Sequence, residues 1–293
     1  MKFCSICRVD IFMTPMLHGL TSIYSMGSSY SLFECPLCKT WFTFPIPTQE
    51  MLSSCYSANY AFQIHHLVSL EKIIRARKLV KIVGFFRKDF KVLEVGVGSG
   101  ELAGETAKYV ESVSGCDIDS VSVTKANSFK GVDVKCEDAL KYVLDFPEEY
   151  FDVGIFSHTL EHFLNPLHIL ETVASRLKPG AKMLIVIPNR IASPKFFKRN
   201  WGYWQVPVHL THHSPESISN LCQKVNLVVE KFYFRRSDFM ALGSYILNFR
   251  KNNQFSDLPK FKFLLWLIPV FAVLHSLTYR FGRQDMILVA SKK

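Results

Sequence analysis

The chain lacks an apolar run at its start. MKFCSICRVD carries no h-region, so export by a cleaved leader is not expected. It also lacks internal repeats and low-complexity tracts, which excludes a solenoid array. Acidic residues are scarce, with 25 Asp+Glu against 35 Lys+Arg and a formal charge of +10. That imbalance points to an anionic partner: nucleic acid, a membrane surface or a phosphorylated substrate. A full membrane span is missing too. The charge-free segment Phe263 to Tyr279 would reach roughly 25 Å as a helix, short of the ~30 Å hydrocarbon core, and Pro269 interrupts it. Apolar residues are not lacking. They make up 48% of the 293 residues, which excludes a disordered chain and suits roughly two domains.

Lys91 to Gly100, KVLEVGVGSG, reads as a buried parallel strand (Val92, Leu93, Val95) running into a turn of alternating glycines. Gly96, Gly98 and Gly100 allow a sharp turn and close approach to a ligand, and ELAGETAKYV then reads as a helix whose first amides face that ligand. This is the pattern of a nucleotide cofactor site. A dinucleotide fingerprint needs its third glycine where Glu101 stands. Glu94, inside the strand, would repel a pyrophosphate but suits the cationic amino-acid end of S-adenosylmethionine (SAM).

The E-x-G-x-G-x-G run resembles motif I of the class I SAM-dependent methyltransferases. The resemblance continues downstream. VSGCDID is similar to the family's second strand and implies Asp117 on the ribose hydroxyls, with Ile118 beside it. VDVKCEDA implies Asp138 and Ala139 near the adenine, and FDVGIFSHTLEHF resembles the fourth strand entering the active site, with Ser157 at the cofactor. Apolar spacing from Asn165 to Lys178 predicts a helix ended by Pro179-Gly180, followed by a fifth strand, AKMLIVIPN. LVVEKFYF and DMILVASKK supply the sixth and seventh strands. The expected fold is therefore α/β, a Rossmann-like seven-stranded sheet with its last strand antiparallel. The resemblance covers residues 91–236 and 284–291.

Of eight cysteines, four form two knuckles, Cys4-x-x-Cys7 and Cys35-x-x-Cys38, which suit a structural tetrahedral Zn²⁺. A segment of about 40 residues buries too little apolar surface to fold alone, so a metal staple has a physical purpose. Cys55, Cys116, Cys136 and Cys222 read as ordinary buried or loop thiols. The expected organisation is a zinc-ribbon module over residues 1–47, a helical cap over 48–90 and a SAM domain over 91–293. The cap holds Tyr56, Tyr60 and a basic helix from His66 to Phe86, and an apolar insertion occupies about 237–283. The aromatic and histidine-rich stretch NRIASPKFFKRNWGYWQVPVHLTHH reads as a substrate loop, and Ser214-Pro215 starts another helix.

Methyl transfer to an oxygen needs an aligned acceptor and a proton-accepting group. His158-Thr159-Leu160-Glu161-His162 resembles the L-E-H segment of the ubiquinone-biosynthesis O-methyltransferases, in some of which an E-x-x-E-H run is associated with a divalent metal. His158 stands here for the first glutamate. The implied catalytic set is His162 as base with His158, Glu161 and His209, the last from HLTHHSPES. The sequence supports a methyltransferase of a small, glycan or lipid-linked acceptor. An RNA methyltransferase and a non-catalytic SAM-binding scaffold are the alternatives. An Asp/Asn/Ser-Pro-Pro-aromatic run of the base N-methylating enzymes is replaced by SHTL. The basic flanks of 263–279 suggest a cytoplasmic protein peripheral to the anionic membrane face, or else a lid or dimer contact.

Overall fold

The structure is a computed structural model and describes residues 3–11, 14–21, 28–55, 72–192, 199, 201, 203–235 and 283–293. Three short strands come first: β1 (Leu17–Thr21), β2 (Ser29–Glu34) and β3 (Trp41–Phe44), followed by α1 (Gln49–Cys55) and a helix α2 over 72–83. The large sheet begins with β4 (Lys91–Val95), and α3 (Glu101–Thr106), β5 (Ser112–Asp117), α4 (Ser120–Ala126), β6 (Val132–Cys136) and α5 (Ala139–Leu144) follow in strict alternation. Next come β7 (Phe151–Ser157), a 3-10 turn at Leu160–His162, α6 (Pro166–Arg176) and β8 (Leu177–Pro188). Then a two-residue strand β9 (Thr211–His212), α7 (Pro215–Lys224), β10 (Leu227–Arg235) and β11 (Asp285–Lys292) complete the chain.

Seven strands form one sheet in the order β10-β11-β8-β7-β4-β5-β6. The β6-β5-β4-β7-β8 part is parallel, and β11 runs antiparallel to both β8 and β10. Successive residues of a strand point to opposite faces, so each face builds its own core. Leu93, Ile185 and Ile187 pack with Tyr142, Leu170 and Leu221 of α5, α6 and α7. Val92, Leu184 and Val186 pack on the other face with Leu79, Ala103 and Ala126 of α2, α3 and α4. This is the doubly wound, seven-stranded architecture expected from the sequence. It gathers the carboxyl ends of β4, β5, β6 and β7 at one edge, where ligands of such sheets bind.

Several local expectations change. The helix after the glycine turn stops at Thr106, and α6 ends at Arg176 rather than at Pro179-Gly180. Leu177 is already extended and fully buried, and the amides of Glu149 and Tyr150 take the carbonyls of Ser175 and Arg176. Those partners replace a glycine cap, so the pair Pro179-Gly180 falls within β8. Cys136, at the tip of edge strand β6, is exposed rather than buried. Of the expected His66–Phe86 helix, 66–71 lie outside the described residues, and the helix ends at 83, where Gly84 takes φ +61. Tyr56, Tyr60 and the insertion at 237–282 lie outside the described residues. Among the described residues no helix is long and apolar enough to cross a membrane.

The stretch read as a substrate loop is a packing element where it is described. Trp201, Tyr203, Trp204 and Val206 are buried against Leu20, Tyr30 and Leu32 of β1 and β2. Trp204 stacks on Trp41 at 6.0 Å. The small sheet, β1-β2-β3-β9, draws its last strand from this same region.

Leu170 is fully buried in α6, and replacing it with Ala should cost about 2–5 kcal/mol of unfolding free energy. Val121 on α4 is 65% exposed, and its Ala variant should stay within about 0.5 kcal/mol of wild type. Urea denaturation of both variants checks the assignment of core and surface.

Candidate active site

The cofactor side is built at the end of β4. Gly96 has φ +73 and lies against Thr159, whose Cγ2 would stand 2.3 Å from an added Cβ. Gly100, at φ +83, meets the backbone of Ala126 in α4 at 2.6 Å in the same sense. Gly98 differs, for an added Cβ there would meet nothing within 4 Å. Two glycines therefore serve packing, and the middle one faces the open side of the turn. Asp117 fixes that turn by accepting from the Gly98 amide at 2.8 Å, while its other oxygen accepts from the Asp119 amide at 3.0 Å.

Glu94 is 1% exposed, and its Oε2 has no hydrogen-bond partner among the described residues. Burial, with the nearby charges of Asp117 and Glu101 adding to it, pushes its carboxyl up to about 8. A buried acid with an orphan oxygen, beneath a glycine turn and beside two further carboxylates, suits a cationic ligand. Ile118 presents an apolar surface at the end of β5, 64% exposed. Asp138 caps α5, its Oδ1 accepting from the amides of Leu140 and Lys141 at 3.0 and 3.1 Å, and Ala139 opens that helix. Ser157 ends β7, its carbonyl 3.3 Å from the Thr159 hydroxyl that donates to it. These residues fit a ligand with a cationic amino-acid end, a ribose and an adenine, which is SAM.

The other cluster lies at the end of β7, the neighbour of β4. His158 takes φ +56, a left-handed conformation costly for a residue with a side chain. Its ring stands between two buried carboxylates, Nδ1 3.7 Å from Glu161 and Nε2 4.0 Å from Asp285. Glu161 is 1% exposed, and neither of its carboxylate oxygens has a hydrogen-bond partner among the described residues. Burial works against its charge, but the His158 imidazole and the neighbouring His162 and His209 outweigh burial and hold the carboxyl at about 2. His209 is itself pushed down to about 3 by burial and by His162, so at neutral pH it offers a lone pair rather than a charge.

Two backbone carbonyls orient the rings. His162 Nδ1 lies 2.9 Å from the Val208 carbonyl, and His209 Nδ1 lies 2.9 Å from that of Tyr203. A proton on each Nδ1 satisfies these contacts and makes Nε2 the basic nitrogen. The ligand atoms of Glu161, His162 and His209 lie within 4.8 Å of one another, so this trio could hold a divalent cation. The structure thus brings together all four residues of the expected catalytic set.

Sequence reasoning missed Asp285. It is fully buried at the start of β11, accepts from the Tyr203 hydroxyl at 2.7 Å and binds Arg235 through two nitrogens at 3.0 and 2.7 Å. Burial opposes its charge, but His158 and Arg235 hold it below the usual carboxylate range. The available signal was an acid leading an otherwise apolar strand. His212 and His213 were also missed. Both are buried, and with Arg190 and His209 they line a cavity of ≈ 10 Å³, about the room one water needs.

The four knuckle cysteines also converge. Cys4, Cys7, Cys35 and Cys38 bring their sulfurs within 4.8 Å of one another, and Cys4 and Cys38 are 3.7 Å apart. The thiols act on one another: the contact with Cys4 pulls Cys38 below its usual value, while Cys38 and burial push Cys4 up and burial pushes Cys7 up to about 12. No disulfide joins the described cysteines.

A Rossmann-like sheet with this glycine turn, flanked by acids at successive strand ends, defines a class I methyltransferase fold. The chain belongs to the methyltransferase domain family, which matches residues 66–231, more than half of its length. It is 32% identical over 108 residues to a ubiquinone biosynthesis O-methyltransferase of Parvibaculum lavamentivorans, covering 35% of this chain and 42% of that protein. A ubiquinone/menaquinone biosynthesis C-methyltransferase of Bdellovibrio bacteriovorus is 28% identical over 165 residues, covering 51% and 67%. The match spans less than half of the length of the first curated relatives. A solved SAM-dependent methyltransferase from Archaeoglobus fulgidus shares the fold with a TM-score of 0.56 at 18% identity, covering 80% of this chain and all of that one.

The raised carboxyl of Glu94 sets a sign for pH dependence. The native state holds this proton more tightly than the unfolded chain, so the contribution is fully present below about 4.5. It is lost as the pH rises toward about 8. Glu94→Gln should remove that slope from urea denaturation of the ligand-free protein measured between these limits. The same change should weaken SAM about tenfold or more in calorimetry, because an amide does not attract the amino group as a carboxylate does.

Proposed function

We propose that the chain is a SAM-dependent methyltransferase that transfers a methyl group to an oxygen of a small acceptor. The observation that carries the reading is Glu94, a buried acid with an orphan oxygen beneath a glycine turn, in a chain of the methyltransferase domain family. Glu94 receives the amino group, Asp117 the ribose hydroxyls, and Asp138, Ala139 and Ile118 the adenine, with Ser157 at the methionine end. Bound there, SAM supplies an electrophilic methyl carbon.

His162 takes the acceptor's hydroxyl proton at Nε2 while the oxygen attacks in line. With SAM bound, transfer of its methyl to the acceptor oxygen would release the neutral thioether and leave the acceptor's proton on His162. The Val208 carbonyl holds the ring in the tautomer this needs. Glu161 and His209 border the base, and His158 sets the charge balance between Glu161 and Asp285. Oxygen is favoured over carbon because an imidazole base stands at the strand end, and because relatives named as O-methyltransferases are among those matched. A second reading rests on the two oxygens of Glu161 that lack a hydrogen bond among the described residues: a divalent cation on Glu161, His162 and His209 would satisfy them and bind the acceptor oxygen.

The four cysteines would hold a structural Zn²⁺, within the proposed 1–47 module preceding a 48–90 cap and a 91–293 SAM domain. A glycan or lipid-linked acceptor and an anionic membrane surface are supported only by the sequence of residues 263–279 and its basic flanks.

His162→Ala should lower turnover by ~10²–10⁴-fold with SAM affinity nearly unchanged. Incubation with radiolabelled SAM and separate small-molecule, lipid, glycan and RNA fractions tests the acceptor, and label entering RNA alone would overturn the small-molecule reading. Elemental analysis should find Zn²⁺ in wild type and its loss in Cys35→Ser. A second ion per chain that disappears in Glu161→Gln would select the metal-assisted reading.

A further inference from the structure

The four-cysteine module does more than precede the large domain, because its sheet ends on the active-site segment itself. β3 pairs antiparallel with β9, Trp41 opposite His212 and Phe42 opposite Thr211. The Thr43 amide donates to the Leu210 carbonyl at 3.0 Å, and its hydroxyl donates to the His209 carbonyl at 2.7 Å. That hydroxyl also lies 3.0 Å from His212 Nε2. Thr43 is buried, so these contacts are made without competition from water.

A second strap runs from the cysteine knuckle to the far end of the same segment. Arg190 donates through Nη2 to the Lys39 carbonyl at 3.0 Å and to Glu34 at 3.3 Å, and its guanidinium lies 4.5 Å above the Trp41 ring. Its own amide donates to the His213 carbonyl at 2.9 Å. The knuckle itself is tight, the Cys35 amide bonding the Thr40 carbonyl at 2.9 Å and the Lys39 amide bonding the Cys35 carbonyl at 3.0 Å. Only Lys39 and Thr40 separate Cys38 from β3. The large domain also holds the segment, through the Leu210 amide on the Glu161 carbonyl at 2.9 Å, the His209 amide on that of Gln205 at 3.1 Å and a bridge from Asn189 to His213, while β9 itself is two residues long and pairs as a strand with β3.

We infer that the metal-loaded cysteine module is a clamp that positions the 209–213 histidine segment of the acceptor site, with Thr43 as its positioning residue. The proposal rests on the methyltransferase reading for its catalytic consequence but not for its structural one. Four thiols held by an ion keep the knuckle closed, the knuckle sets the start of β3, and β3 sets the backbone from which His209 projects toward Glu161. Glu94, Asp117 and Asp138 stand at the ends of β4, β5 and β6, strands that do not carry this path, so cofactor affinity and acceptor-site order separate.

The test is hydrogen exchange of the full-length protein read by mass spectrometry, with SAM calorimetry and turnover beside it. Thr43→Val keeps the shape and the cysteines but removes the hydroxyl. It should raise exchange at 209–213 by about tenfold or more and lower turnover by a similar factor, with SAM affinity within about twofold of wild type. Thr43→Ser should restore both. Stripping the metal with a chelator should give the same local increase in exchange while α5 and α6 stay protected. Unchanged exchange at 209–213 in both the Thr43→Val and the metal-stripped protein overturns the clamp. Wild-type protein that binds no SAM, yet loosens at 209–213 on stripping, would defeat the methyltransferase reading and leave the clamp standing.

Discussion

Glu94 and Glu161 are buried near the carboxyl ends of two neighbouring parallel strands, and each keeps at least one oxygen without a hydrogen-bond donor among the described residues. Charge in such a place is expensive unless it is neutralised or paired. The two acids meet that demand in opposite ways. Burial and the charges of Asp117 and Glu101 leave Glu94 with a proton toward neutral pH, whereas Glu161 is surrounded by imidazoles and stays ionised. Much of the site can be understood as the arrangement needed to tolerate these two carboxyls. The glycine turn leaves room for a cation above Glu94, and the strained backbone of His158 carries an imidazole to Glu161.

The same demand explains why the acceptor side is assembled from distant parts of the chain. Glu161 lies after β7, His209 follows the buried Trp201, Tyr203, Trp204 and Val206, and Asp285 begins the last strand. One imidazole, His158, stands between the two buried acids and links the ends of β7 and β11. Tyr203 and Arg235 complete the compensation around Asp285. Misplacing one of these groups would expose the others to an uncompensated buried charge, so the cluster behaves as a unit.

The cysteine module enters this arrangement through the pairing of β3 with β9 and through the Thr43 hydroxyl. Its small sheet ends on β9, and its apolar face covers Trp201, Tyr203, Trp204 and Val206. A short two-residue strand has little stability of its own, so the order of the histidine segment draws on β3 and Arg190 as well as on the carbonyls of Glu161 and Gln205. The four-cysteine cluster and the histidine segment, far apart in the chain, thereby share a structural path.

Much of the large domain was legible in the residues because its signals are local. Alternating apolar strands, the glycine turn, Ser214 before Pro215, and two knuckles of cysteines each act within a few residues of themselves. Glu94 was legible for the same reason, since a carboxylate within that strand excludes a pyrophosphate whatever the tertiary setting. Helix ends were not, because Arg176 stops α6 through amides donated by Glu149 and Tyr150, partners that no local pattern announces. The aromatic stretch around Trp204 looked like a substrate loop because it is rich in aromatics, histidines and prolines, and only its burial under β1 and β2 makes it core. Asp285 and Thr43 acquire their roles entirely from long-range contact. The sequence by itself determined the fold, the cofactor turn and the thiol set, each a matter of nearby geometry. Only the tertiary structure decided which buried charges face one another and which strand holds the histidines, because those energies depend on distances between residues far apart in the chain.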